Sequence, residues 1–135
     1  MQTQQIRPKL VLDGAAEAID FYRTTLDAEL IACYLSDGKV VFAELEILGC
    51  RVTLKEADDA DPVGRPGPIL DIIVDDPDVL AGRLLDAGAR EIFAMSDQPW
   101  GGRWGRVGDP YGVQWLLQSP SDATPQEIQA AVNHM

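Results

Sequence analysis

Two stretches of the chain, KLVLDGAAEAIDFYRTTLDAELI and ILDIIVDDPDVLAGRLLDAGAREI, run through the same series: strand, short acidic turn, helix, the tripeptide Leu-Asp-Ala, strand. Asp13 recurs as Asp75, 62 positions on, and Leu26-Asp27-Ala28 recurs as Leu85-Asp86-Ala87, 59 positions on. A period near 60 is too long for a solenoid unit and marks two copies of one module. Any fold for these 135 residues must therefore be assembled from two similar halves.

Each half has a readable helix. Ala15, Ile19, Tyr22 and Leu26 fall at spacings of four, three and four, one face at 3.6 residues per turn. Leu80, Leu84 and Ala87 do the same in the second copy, where Asp76-Pro77 puts proline in the first helical turn. Both helices are expected to lie on a sheet.

Strands follow the first helix. Asp37-Gly38 is a two-residue hairpin turn, since both positions tolerate positive φ, and Leu48-Gly49 closes a second hairpin. That turn pairs Ile47 with Cys50, Glu46 with Arg51, Glu44 with Thr53 and Phe42 with Lys55. One face then holds Val41, Ala43, Leu45, Ile47, Cys50, Val52 and Leu54 and needs cover. The other holds Phe42, Glu44, Glu46, Arg51, Thr53 and Lys55 and looks at water or a polar cavity.

The expected organisation is module one at 6–56, a linker at 57–67 rich in Asp, Pro and Gly, module two at 68–118 and a helical tail at 119–135. Module two offers strands near 68–74, 90–96, 103–108 and 113–118, with Asp109-Pro110-Tyr111-Gly112 as a turn. In the tail, Thr124-Pro125-Gln126-Glu127 is a capping box that opens a helix over 125–133.

The net charge of −11, from 22 acidic and 11 basic residues, argues against nucleic acid, whose phosphates need Lys and Arg to displace counterions. Acidity serves solubility or favours a cationic small molecule. No stretch reaches the roughly 18 apolar residues of a membrane span, and the start MQTQQIRPK lacks signal-peptide character, so a cytoplasmic location is expected. Cys33 and Cys50 have no CxxC spacing and read as small reduced side chains, a bridge between them staying open.

Two βαβββ modules, with DGAAEAIDFY in the first turn and helix and PWGGRWGRVGDPYGVQWLL near the end, resemble the vicinal oxygen chelate superfamily. That group includes glyoxalase I, extradiol dioxygenases, fosfomycin-resistance enzymes and bleomycin-resistance proteins. The likeness covers about residues 6–118 and is most specific in the run from Trp104 to Trp115. It implies an α+β fold in which curled mixed sheets surround a cleft with helices outside, and a homodimer. It also makes Phe42, Glu44, Thr53 and Lys55 cavity-facing.

Metal-dependent members of the group take His and Glu ligands from strands one, four, five and eight. Here strand one offers Lys9, strand five has Ile69 and Leu70 where a His would fall, and Leu116 stands where the last strand usually carries Glu. The single histidine, His134, lies in the tail, and Glu44 with Asp71 are two carboxylates where three or more ligands are customary. No metal, cofactor or catalytic residue is expected, since neither a neutral-pH base nor a set nucleophile is in evidence. Glu44 as a lone general base is weighed against Glu44 paired with Thr53 and Lys55.

Trp115 alternates with Val113 and Leu117 and reads as core. Trp100 and Trp104, flanked by glycines, are expected to stack on an aromatic ligand or else to close a barrel end or a dimer seam. Arg103 and Arg106 brace acids or hold ligand carbonyls. The expected binding set is Phe42, Glu44, Thr53, Trp100, Arg103, Trp104, Gln114 and Leu116. The resemblance then points to the bacterial bleomycin-resistance branch, whose members hold a natural product unchanged. A metal-dependent or general-base enzyme of the same fold is the alternative.

Overall fold

The computed structural model describes residues 3–135. The elements run β1 (Lys9–Leu12), α1 (Ala15–Thr25), β2 (Glu29–Ser36), β3 (Lys39–Ile47), β4 (Cys50–Glu56), β5 (Ile69–Ile73), α2 (Pro77–Asp86), β6 (Arg90–Asp97), β7 (Arg103–Gly108), β8 (Gln114–Gln118) and α3 (Pro125–Asn133). The duplication is visible in the sheets. One is ordered β1-β4-β3-β2 and the other β5-β8-β7-β6, each with a parallel pair, β1 with β4 or β5 with β8, and antiparallel pairs beyond it. The fold is α+β, two βαβββ modules. The chain forms two compact units, the first taking in the residues up to Pro68 with Tyr111–Val113, the second Ile69–Pro110 and Gln114–Met135.

In the first unit, α1 covers one face of its sheet. Ala15, Ala18, Ile19, Phe21 and Tyr22 are buried against Leu10, Leu12, Ala43, Leu45, Val52 and Leu54. Each large apolar side chain so buried contributes about 1.5–3 kcal/mol. Tyr111 completes this core, its ring edge-on to Phe21 at 5.5 Å and Tyr22 at 6.5 Å.

Both hairpin turns are as read from sequence. Asp37 and Gly38 have φ of 51° and 75°, Leu48 and Gly49 have 52° and 80°, and the second turn sets Ile47 opposite Cys50, Glu46 opposite Arg51 and Glu44 opposite Thr53. Strict alternation fails farther along. Val41 is 54% exposed while Val40 is buried, because a register shift between Tyr34 and Leu35 inserts a bulge in β3 and flips the residues beyond it to the other face. Cys50, at the turn, is also exposed, and both cysteines are free.

Gly14 precedes α1 in the left-handed region, φ 86°, and offers no side-chain cap. The parallel pairing of Leu12 with Glu56 brings a carboxylate there instead: Glu56 accepts hydrogen bonds from Gly14 N at 3.1 Å and Ala15 N at 2.9 Å. Burial pushes its carboxyl up, but donation from Gly14 and Ala15 outweighs this and holds it below the ordinary glutamate value.

In the second unit, α2 begins at Asp76, whose side chain accepts from Val79 N, and buries Leu80, Ala81 and Leu84. Ala87, expected on that face, is the exposed C-cap one residue past the last turn; Ala81 takes its place. Trp115 is 2% exposed, and its Nε1 donates to the buried Asp109 Oδ2 at 2.8 Å. The tail helix α3 starts with Thr124 Oγ1 accepting from Glu127 N and buries none of its residues. No helix among the described residues is long and apolar enough to cross a membrane.

Candidate functional site

The expected binding residues fall in two groups, one on each sheet. On the first, Phe42 stacks on Tyr34, with ring centroids 6.1 Å apart, and Lys9 Nζ stands 5.4 Å from the Phe42 ring centre. Glu44 accepts from Arg7 Nη1 at 3.0 Å and Arg51 Nη1 at 3.3 Å, so two guanidinium groups pair with it. Its expected partners are otherwise engaged. Lys55 Nζ reaches Asp61 at 2.7 Å and Asp58 at 2.9 Å in the connecting loop, which raises the Lys55 pKa and fastens that loop to β4. Thr53 is 4% exposed, its amide donating to Pro8 O at 2.9 Å. A doubly paired Glu44 makes a poor general base.

On the second sheet, the face opposite Trp115 and Leu117 carries two cross-strand rows. One runs Ile73, Gln118, Trp104, Ser96; the other runs Asp71, Leu116, Arg106, Phe93. Trp100 stacks on Trp104, with centroids 6.3 Å apart and planes at 21°, and Phe93 meets Trp104 edge-on at 5.8 Å. Arg106 lies over the Phe93 ring at 5.3 Å and donates from Nη1 to Gln114 Oε1 at 3.2 Å. Gln118 donates to Asp71. Of the expected set, Trp100, Trp104, Gln114 and Leu116 therefore share one aromatic, half-polar surface.

Glycine makes the Trp100 hairpin possible. Gly101 and Gly102 have φ of 94° and 79°, and a Cβ on Gly101 would meet Ser121 Oγ at 2.8 Å. At the foot of this hairpin, Arg103 forms a two-point bridge to Asp78, Nε at 3.0 Å and Nη2 at 2.9 Å, and reaches Asp97 from Nη1 at 3.2 Å. The first of these partners lowers in turn, the Asp78 carboxyl being held below its ordinary value by the guanidinium. An open depression of about 490 Å³ beside the bridge is lined by Asp75, Asp76, Gln98 and Ser119 among others. Arg103 thus braces the hairpin.

Phe93, Arg7 and Tyr34 are the residues that reading the sequence leaves out. Two register shifts in β6 hide the face to which Phe93 belongs, and Arg7 precedes the first strand, outside any pattern. Arg51 was within reach, being the diagonal neighbour of Glu44 in the hairpin register.

The side chains present do not fit a divalent ion. Among the described residues, no three His, Cys, Asp or Glu side chains gather to hold one. Glu44 is bound by two arginines, Asp71 accepts from Gln118, and the position of the last expected ligand is Leu116, paired across the sheet with the cationic Arg106.

Residues 6–117 match the sequence model of the Glyoxalase/Bleomycin resistance protein/Dioxygenase superfamily. An uncharacterized protein of Mycobacterium tuberculosis (strain ATCC 25618 / H37Rv) is 39% identical over 139 residues, which cover 95% of this chain and 82% of that protein. Among solved structures, TioX from Micromonospora sp. ML1 has a TM-score of 0.71 at 22% identity, covering 87% of this chain and 98% of its own. PA1353 from Pseudomonas aeruginosa gives 0.71 at 25% identity, covering 89% and 100%. The fosfomycin resistance protein FosX from Listeria monocytogenes gives 0.67 at 16%, covering 95% and 99%. The last of these is a likeness of fold alone, as is that to TioX.

Proposed function

The chain belongs to the Glyoxalase/Bleomycin resistance protein/Dioxygenase superfamily, and from that footing we propose that it binds a planar aromatic or peptide-type natural product and holds it unchanged, as a homodimeric sequestering or carrier protein. The observation that carries this reading is the row of aromatic side chains on the open face of the second sheet. Trp100 stacks on Trp104 and Phe93 meets Trp104 edge-on, the half-buried Leu116 lies on the same face, and Gln114 and Gln118 supply polar contacts at its margin. An apolar, planar surface with a few polar groups suits a flat ligand. Each well-formed ring pair adds about 0.5–1.5 kcal/mol beyond area burial. The first sheet adds a smaller patch of the same kind in Tyr34 and Phe42.

Conversion of the ligand has less support. Glu44, the carboxylate best placed to act as a base, is neutralised by Arg7 and Arg51, and Leu116 replaces an acidic ligand. Titration calorimetry tests the reading with two panels, one of nickel, zinc, manganese and ferrous ions, the other of bleomycin and an anthracycline, with each organic ligand recovered and analysed by chromatography. Saturable binding of an aromatic compound recovered intact supports sequestration. Stoichiometric tight binding of a metal, or a recovered ligand that has been altered, returns the protein to the enzymes of its superfamily.

A further inference from the structure

We propose that the ligand of the second sheet carries an anionic or strongly accepting oxygen, a carboxylate or an ionised enol, beside its aromatic ring, and that Arg106 receives it. The inference rests on the reading of that face as a binding surface, and it names the ligand's chemistry.

Arg106 differs from four of the chain's other arginines. Arg7, Arg51, Arg65 and Arg103 each sit in an ion pair with an aspartate or glutamate. Arg106 has no such partner among the described residues: its Nη1 donates to the neutral Gln114, and its Nε is buried with no hydrogen-bond partner. Buried donors in folded proteins are nearly always satisfied, and an exception calls for an explanation. Because Nε is enclosed, an entering ligand meets the Nη end of this guanidinium, which one amide and one aromatic ring hold in place.

The surroundings define that acceptor further. Phe93 lies against the guanidinium and Trp104 lies edge-on to Phe93, so an oxygen placed on Arg106 sets the attached ring beside the two aromatic side chains. The planar fork favours a flat, two-pronged oxygen group over a single point charge. One carboxylate shares this row, Asp71, but it is two strands away, about 10 Å at ordinary strand spacing, and it already accepts from Gln118. At that range salt screens much of its field. The chain's net charge of −11 would draw a cation from bulk solution. The group that touches the ligand selects the opposite sign.

Three probes of one shape separate these cases by calorimetry: 2-naphthoate, 2-naphthamide and 2-naphthylmethylammonium, titrated into the full chain, R106M and R106K. The expected result is naphthoate bound about 10-fold tighter than the amide, the ammonium weakest, the preference lost in R106M and partly kept in R106K. Methionine removes a buried unpartnered donor, so R106M is expected to fold; should it fail, the ranking of the three probes on the unaltered protein decides alone. Equal binding of all three, or preference for the ammonium, overturns the role of Arg106 while leaving the face as a binding surface. Binding of none of them overturns both.

Discussion

Replacing Glu56 with alanine tests whether a side chain from another strand is what starts α1. The carboxylate accepts from the N-cap amide of Gly14 at 3.1 Å and from the first helical amide, Ala15, at 2.9 Å, and Gly14 itself makes no side-chain cap. Loss of an N-cap costs roughly 0.5–2 kcal/mol, and hydrogen bonds to a charged group are worth about 1.5–3 kcal/mol each. The site is half-buried, so water replaces part of what is lost. A net cost of about 2 kcal/mol follows at neutral pH, a fall in Tm of about 8 °C for a chain of this length. Glu56→Gln keeps an acceptor and loses the charge, so it should fall between the two. The pH dependence has a definite sign. The folded carboxyl is held below its ordinary value of 4.5, so its stabilisation is fully present above that value and disappears as pH falls through the folded pKa. Thermal unfolding followed by far-ultraviolet circular dichroism across a pH series measures both effects. An Ala variant that melts within about 1 °C of the parent at neutral pH would refute the assignment. So would a difference that persists undiminished in strong acid.

Other substitutions test other parts of the structure. Asp109→Ala leaves the Trp115 indole N–H buried without this acceptor and should cost about 1–3 kcal/mol, read as a lower denaturant midpoint; an unchanged midpoint would show that the bond is dispensable. Leu48 holds a left-handed φ of 52°, which costs a residue with a Cβ about 1–2 kcal/mol, so Leu48→Asn should raise Tm, and a fall would mean that the Leu48 side chain has a role in the turn. Arg103→Gln breaks the bridges to Asp78 and Asp97. It should lower Tm at low salt and less so in high salt, while leaving aromatic-ligand affinity nearly unchanged; a large loss of affinity would make Arg103 a ligand contact after all.

Much of this architecture was legible because local chemistry fixed it. Asp37-Gly38 and Leu48-Gly49 can close two-residue hairpins only in one register, and from that register the pairing of Glu44 with Thr53 followed. The helix faces were readable for the same reason, down to the terminal residue, where Ala87 leaves the last turn. What escaped was whatever depends on irregular backbone or on partners distant in sequence. The bulge in β3 exchanged Val41 for Val40, and the shifts in β6 concealed Phe93. Glu56, 42 positions from Gly14, gave no local sign that it would cap α1, and Lys55 turned from the expected surface because two aspartates of the loop compete for it. Of the candidate site, the tryptophans were evident from their glycines, whereas the unpartnered Nε of Arg106 emerges only from the three-dimensional arrangement.

The two kinds of tryptophan environment also give the molecule distinct optical signals. Trp115 is sealed in the second unit's core with its indole N–H bonded to a carboxylate, while Trp100 and Trp104 lie plane on plane, half-buried. Rings that close couple their strong electronic transitions, so the pair should give a split band in far-ultraviolet dichroism that a lone indole lacks. Trp115 then serves as an internal reference, shielded from acrylamide, against which a change at the pair can be read. An event at the open face would alter the split band and spare the shielded emission; loss of the core would alter both.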